Sequence, residues 1–133
     1  MNTYVLDAFA LLAHFKNEPG ARRMGELFAG ASAASQDLPI SVVNLAEVIY
    51  KTIRQFGQER AQQVLGEVRQ LPIVVLGVDE QLALDAAVIK GTHRISYADC
   101  IAAALAQRLG AILVTGDRGF EQILGLKLDM LPK

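Results

Sequence analysis

The sequence predicts an α/β fold of three layers, with a central, mostly parallel sheet and helices on both of its faces. Short apolar runs alternate with longer stretches of helical periodicity along all 133 residues. Alternation of this kind builds parallel sheets through right-handed crossovers. Residues 73–76, Ile-Val-Val-Leu, form an unbroken apolar run that suits a parallel strand buried on both sides. The chain has no Gly-, Ser- or Pro-rich linker, no low-complexity tract and no repeat, so residues 1–133 read as one domain.

Taken in order, residues 3–6 are a short β-prone run ending at Asp7, and 8–15 read as a helix broken by Asn17-Glu18-Pro19-Gly20. A second helix over 21–34 sets Met24, Leu27, Phe28 and Ala31 at core-facing spacing. Residues 38–41 make a short strand. A helix follows from about Val43, with Leu45, Val48, Ile49 and Ile53 on one face, and Gly57 ends it. Residues 58–70 carry the next helix through Ala61, Val64, Leu65 and Val68, and Pro72 announces the 73–76 strand. Residues 79–89 are helical and 90–94 are predicted as a loop. Ala98, Ile101, Ala102, Leu105 and Leu109 then form a stripe on a helix beginning near Tyr97, with Gly110 at its C-cap. Residues 111–115 are the clearest strand. A short helix near 120–124 and a last strand near 127–130 complete the order.

Composition narrows the class without naming a function. An apolar content of 52% supplies one core, and a net charge of −1 with 20% charged residues is ordinary for a soluble protein. That balance gives no pointer to nucleic acid, although basic residues clustered on one face would serve as well. The single cysteine, Cys100, excludes an internal disulfide framework and suits a reducing compartment. No apolar run reaches the roughly 18–20 residues that span a bilayer, and no basic n-region precedes an apolar h-region, so a cytoplasmic protein is expected.

The informative residues are four acids. Asp7 directly follows the first strand, and Asp117 stands two residues beyond the strand ending at Thr115. Glu47 is predicted in the first turn of the helix after 38–41, and Asp99 in the first turn of the helix near Tyr97. A parallel sheet brings all strand C-termini to one edge, where ligands bind. Each acid also has a local role open to it. Asn44-Leu-Ala-Glu47 and Ser96-Tyr-Ala-Asp99 have the form of capping boxes, Asp7 can cap the helix at Ala8, and Asp117 fits a turn between glycines. Together they pose an electrostatic problem, since two unit charges about 5 Å apart repel by about 3 kcal/mol at an effective dielectric near 20. Such a cluster takes up protons or a cation. Hard oxygen ligands favour Mg²⁺ or Mn²⁺, while His14, His93 and Cys100 are too scattered for a zinc site. An acidic Mg²⁺ site suits phosphate chemistry, because the ion polarises a phosphoryl oxygen and acidifies a bound water.

At these residues the chain resembles the PIN-domain nucleases and, within them, the VapC-type toxins of type II toxin–antitoxin systems. The resemblance lies in four segments: Tyr4-Val5-Leu6-Asp7-Ala8-Phe9-Ala10-Leu11-Leu12, Ile40-Ser41-Val42-Val43-Asn44-Leu45-Ala46-Glu47-Val48, Tyr97-Ala98-Asp99-Cys100-Ile101-Ala102-Ala103-Ala104, and Gly110 through Phe120 around Thr115-Gly116-Asp117. They come in family order and cover nearly the whole chain. The resemblance implies a PIN-like fold in which Asp7, Glu47, Asp99 and Asp117 hold Mg²⁺ or Mn²⁺ and position a hydrolytic water. It further implies endonucleolytic cleavage of RNA leaving a 5′-phosphate, an antitoxin that blocks the site, and a homodimer. One departure stands out. Family members often carry Ser, Thr or Asn just after the first Asp, where this chain has Ala8 and Phe9, so support for the metal shell has to come from elsewhere, such as Thr115.

Other residues are weighed against plainer roles. Arg118 is a candidate phosphate donor or a solvated turn residue, and Thr115 a candidate partner of a ligand carboxylate or an ordinary β-branched strand residue. Lys90, His93 and Arg94 are candidates for RNA backbone contacts, with a solvated loop the plainer reading. Cys100 reads as a small buried residue, and Phe9, Phe15 and Phe28 as core or partner-groove residues. Three alternatives remain: a catalytically silent PIN-fold binding module, a haloacid-dehalogenase-like phosphatase, and a receiver domain. The phosphatase chemistry needs an Asp-x-Asp pair that Asp7-Ala8-Phe9 lacks, and Leu76-Gly77-Val78-Asp79 fits a receiver poorly.

Overall fold

Every strand among the described residues runs in the same direction. The computed structural model describes residues 2–133. In chain order the elements are β1 (Tyr4–Leu6), α1 (Ala8–Phe15), α2 (Ala21–Ala33), β2 (Leu38–Ser41), α3 (Val42–Phe56), α4 (Gln58–Val68), β3 (Ile73–Leu76), α5 (Glu80–Thr92), α6 (Tyr97–Leu109), β4 (Ile112–Thr115), a 3-10 turn (Arg118–Gln122) and β5 (Leu128–Met130). The five strands form one sheet in the order β3-β2-β1-β4-β5, all pairs parallel. The chain therefore grows outward from β1 to β3 on one side and returns to β4 and β5 on the other. The point of reversal lies between β1 and β4, where Leu6 pairs with Val114, and crevices at such points are where open α/β sheets bind ligands.

Strand alternation divides the interior into two cores, as a three-layer fold requires. Leu6, Val114, Leu38 and Ile40 face one core with Leu11, Met24, Phe28, Val48 and Val64 from α1 to α4. Val5 and Leu113 face the other with Leu82, Ala86, Ile101 and Leu105 from α5 and α6. Leu6, Ile40, Leu113 and Ile101 are almost wholly buried, and each such side chain contributes about 1.5–3 kcal/mol of burial free energy. Residues Cys100 to Ala106 of α6 are buried without interruption. Four of those seven are alanine, so the helix lies close against its neighbours α5 and α3. Gly110 ends α6 in the left-handed region at φ 60°, the C-cap geometry the sequence predicts.

Four sequence expectations change. Residues 90–92 continue α5 and are not loop, because Thr92 Oγ1 donates to the Val88 carbonyl and Lys90 Nζ donates to the Ile95 carbonyl, holding the end of the helix together. β3 is an edge strand and its residues are only half-buried; its unbroken apolar run meets helices but has a neighbouring strand on one side only. The short helix near 120–124 is instead the 3-10 turn over Arg118–Gln122, capped by Asp117. Glu47 lies in the second turn of α3 and not the first, because the cap is Ser41. The Ser41 hydroxyl accepts from the Asn44 backbone N–H at 3.0 Å and donates to Asn44 Oδ1 at 2.6 Å.

That cap extends into a buried clasp. Asn44 is wholly buried, and its Nδ2 donates to the Ala98 carbonyl at 3.1 Å, tying the start of α3 to the start of α6. Among the described residues, no helix is long and apolar enough to cross a membrane. Asn44→Ala leaves the Ser41 hydroxyl and the Ala98 carbonyl without these partners, and should cost about 1–3 kcal/mol of stability. Urea unfolding reads this directly, and an unchanged midpoint would show that the clasp contributes nothing.

Candidate active site

The acids of the sequence converge where the strand order reverses. Asp7, Glu47, Asp99 and Asp117 all line one cleft of about 440 Å³, together with Ala8, Phe9, Leu12, Lys16, Glu18, Lys51 and Ser96. Four different elements supply them. Asp7 is the N-cap of α1 and accepts from the Ala10 N–H at 2.8 Å. Asp99 stands in the first turn of α6, where its own N–H donates to Ser96 Oγ at 3.2 Å. Asp117 caps the 3-10 turn by accepting from the Gly119 N–H at 2.8 Å, while its own N–H donates to Thr115 Oγ1 at 3.0 Å. The cap read from the sequence for Asp7 and the turn read for Asp117 thus coexist with a place in the cleft, while at α6 the cap is Ser96 and not the Asp99 side chain.

Burial makes this grouping costly. Asp7 is 2% exposed, and its pKa rises from 3.8 to about 7; burial is the main cause, opposed by hydrogen bonds from Thr115 and the Ala10 N–H and reinforced by the charges of Asp99 and Glu47. The Asp99 carboxyl is also pushed up, first by burial, then by Asp117 and Glu47, against the lowering effect of Ser96 and Lys51. Glu47 points one oxygen at Lys51, with Lys51 Nζ 2.8 Å from Oε2. Its other oxygen, Oε1, is buried and has no hydrogen-bond partner. Buried oxygens without partners are rare and mark places where an ion or water belongs.

The donor set therefore suits a hard divalent cation in chemistry: four carboxylates, one with an unpartnered buried oxygen and one raised toward neutrality, chiefly by burial. As the side chains stand, no group of three or more Asp, Glu, His or Cys among the described residues is drawn together closely enough to hold an ion. The acids form an open ring around the cleft.

The remaining sequence candidates separate. Thr115 is wholly buried behind the cleft, where it meets both Asp7 and the Asp117 backbone. Arg118 is exposed and pairs with Glu121 at 3.0 Å, outside the cleft lining. Lys90 is engaged with the Ile95 carbonyl, and the His93 ring with the Ile89 carbonyl, so neither reaches into the cleft. Cys100 is buried and unpaired. Phe28 joins the core, and Phe9 packs against that core while also lining the cleft, its ring lying where a Cβ on Gly116 would fall 2.1 Å from Cε1. A side chain at 116 would have to push the Phe9 ring aside. Lys16, Lys51 and Ser96 are cleft residues that the sequence reading did not single out. Lys51 had a readable signal, since it follows Glu47 by four residues on a helix.

A family model for the PIN domain matches residues 4–125 of the chain. No curated protein matches it in sequence. Among solved structures, a DNA-bound VapBC from Salmonella typhimurium is similar at 27% identity and TM-score 0.76, over 98% of this chain and 98% of that one. A VapBC2 from Rickettsia felis, bound to a fragment of its promoter DNA, is similar at 20% identity and TM-score 0.74, over 98% and 99%. Mycobacterium tuberculosis VapC20, described as a sarcin-ricin loop cleaving toxin, follows at 19% identity and TM-score 0.68, over 90% and 94%.

The raised carboxyl of Asp7 gives a pH signature. Between its unfolded value of 3.8 and its folded value of about 7, the folded state holds a proton that the unfolded state releases. Stability from this group is therefore full below pH 4 and is lost as pH rises through 7. Asp7→Asn keeps a capping oxygen without the charge, and in chelator should stabilise the protein at pH 8, by on the order of 4 kcal/mol at most, with the gain shrinking toward pH 4. Urea melts of both proteins across that range test it; a gain independent of pH would contradict the assignment.

Proposed function

The chain belongs to the PIN domain family, and on that footing we propose that it is a Mg²⁺- or Mn²⁺-dependent endoribonuclease acting as the toxin of a toxin–antitoxin pair. The observation that carries the reading is the meeting of Asp7, Glu47, Asp99 and Asp117 in one cleft from four separate elements. On this reading those four carboxylates are the metal ligands. The ion, when bound, supplies a polarised phosphoryl oxygen and an acidified water for hydrolysis of the phosphodiester.

The chain's own residues supply the rest. Asp7 is fixed in direction by the Ala10 N–H and by Thr115, which takes the place of the polar side chain missing at Ala8. Asp117 is fixed by the Gly119 N–H, so the two strand-end carboxylates are aimed before any ligand arrives. Lys16 brings positive charge to the cleft and suits the phosphates of a polynucleotide. Phe9 and Leu12 form an apolar wall on one side.

A protein antitoxin is supported by the VapBC complexes among the similar structures. A homodimer is supported by exposed apolar side chains on two helices, Tyr50, Ile53 and Phe56 of α3 and Leu84 and Val88 of α5. The reading treats residues 1–133 as one nuclease domain.

Purified protein freed of any partner is expected to cleave single-stranded RNA in Mg²⁺ or Mn²⁺, to leave 5′-phosphates, and to stop in EDTA. Asp7→Asn and Asp99→Asn should each lower the rate by about a hundredfold or more, as loss of charge stabilisation at a reacting phosphate does. Cleavage that persists in chelator, or is unchanged in both variants, would overturn the metal-nuclease reading. Binding of an antitoxin without cleavage of any RNA would favour the silent module.

A further inference from the structure

Two cations line the cleft, Lys16 and Lys51, and they are differently placed. Lys16 approaches Glu18, at 4.0 Å, which is not one of the four converging acids. Lys51 stands one turn beyond Glu47 on α3 and holds its Oε2 at 2.8 Å. An exposed pair at this spacing is ordinarily a minor surface feature. Here the two partners are unequal: the Lys51 side chain is 49% exposed while that of Glu47 is only 13% exposed. The other oxygen of Glu47 is buried and unpartnered. Glu47 is thus a mostly buried carboxylate whose one direct counter-charge among the described residues comes from the solvent side.

The ring of acids also stands open. No three of the described acidic, His or Cys side chains are gathered for an ion, and Glu47 is engaged with Lys51. We propose that Lys51 is a built-in counter-cation of the cleft, holding Glu47 until a divalent cation displaces it and so setting the affinity of the site for that cation. This rests on the metal-site reading above. It adds a positioning role for a residue outside the four acids, since Lys51 acts through Glu47 and not on the substrate.

The physical argument is competition for one carboxylate. A divalent cation arriving among Asp7, Asp99 and Asp117 meets the positive charge of Lys51 across the cleft and must take Glu47 from it. Removing that charge frees Glu47 and makes the cleft more negative by one unit, so binding should tighten. In the absence of metal the same change leaves the acids without their counter-charge, so the fold should weaken. The two effects have opposite signs, which a merely structural role for Lys51 does not produce.

Isothermal titration of Mn²⁺ into the whole protein, wild type beside Lys51→Met, Lys51→Gln and Lys51→Arg, reads the first effect without any activity assay. Thermal melts in EDTA and in Mn²⁺ read the second. Lys51→Met and Lys51→Gln should bind Mn²⁺ about tenfold more tightly than wild type, melt lower in EDTA and gain more on adding Mn²⁺. Lys51→Arg, which keeps the charge, should stay close to wild type. Equal or weaker Mn²⁺ binding by whichever of the two neutral variants folds would overturn the role of Lys51 while leaving the metal site standing. Absence of Mn²⁺ binding by wild type and all variants would overturn the metal-site reading itself, and the proposal with it.

Discussion

A parallel sheet sends the C-terminal end of every strand to the same edge, and the remainder of this molecule is arranged around that constraint. The chain leaves β1 at Asp7 and leaves β4 at Gly116-Asp117, with β1 and β4 paired side by side. The helices that follow β2 and precede β4 start or pass near the same edge. Acids separated by up to 110 positions in sequence therefore share one cleft without any long excursion of the chain. The positions of α3 and α6 relative to each other add the second condition, and the buried Ser41–Asn44–Ala98 clasp meets it. Glu47 and Asp99 hang from the two helices that this clasp joins.

The same constraint imposes an electrostatic load. Burial and like charges act in one direction on Asp7 and Asp99, and the hydrogen bonds from Thr115, Ala10 and Ser96 only partly oppose them. Caps and turns do double duty in this setting, because N–H groups already needed to begin α1 and the 3-10 turn also hold carboxylates in fixed directions. A site assembled from caps needs little rearrangement of the backbone to present its charges.

Most of the fold was legible because its signals are local. Hydrophobic period, glycine caps and apolar runs place the strands and most of the helices, and residues near the acids carry the family pattern. What was not legible depends on partners distant in sequence. The apolar run at 73–76 has the composition of a central strand, yet which strand lies at an edge is decided by chain order in space. The register of α3 turned on whether Ser41 or Asn44 caps it, and the answer came from Ala98, 54 residues away from Asn44. Arg118 beside Asp117 is open in sequence to a phosphate-binding or a solvated role, and only the 3-10 turn, which pairs it with Glu121 outside the cleft, decides for the solvated one. Phe9 packs against the core as its sequence suggests, but that its ring also walls the cleft and lies over a glycine from the other half of the sheet depends on the fold.

That last contact bears on how the sequence is free to change. Phe9 fills the space in which any side chain at position 116 would have to stand. A larger residue at 116 requires the Phe9 ring to swing aside or a smaller residue to stand at 9, so position 9 constrains position 116 although they lie near opposite ends of the chain. Each is adjacent, or nearly so, to an acid of the cleft. The side chain at 9 thereby limits what position 116 can accept, and the segment bearing Asp117 inherits a constraint from the helix that Asp7 caps.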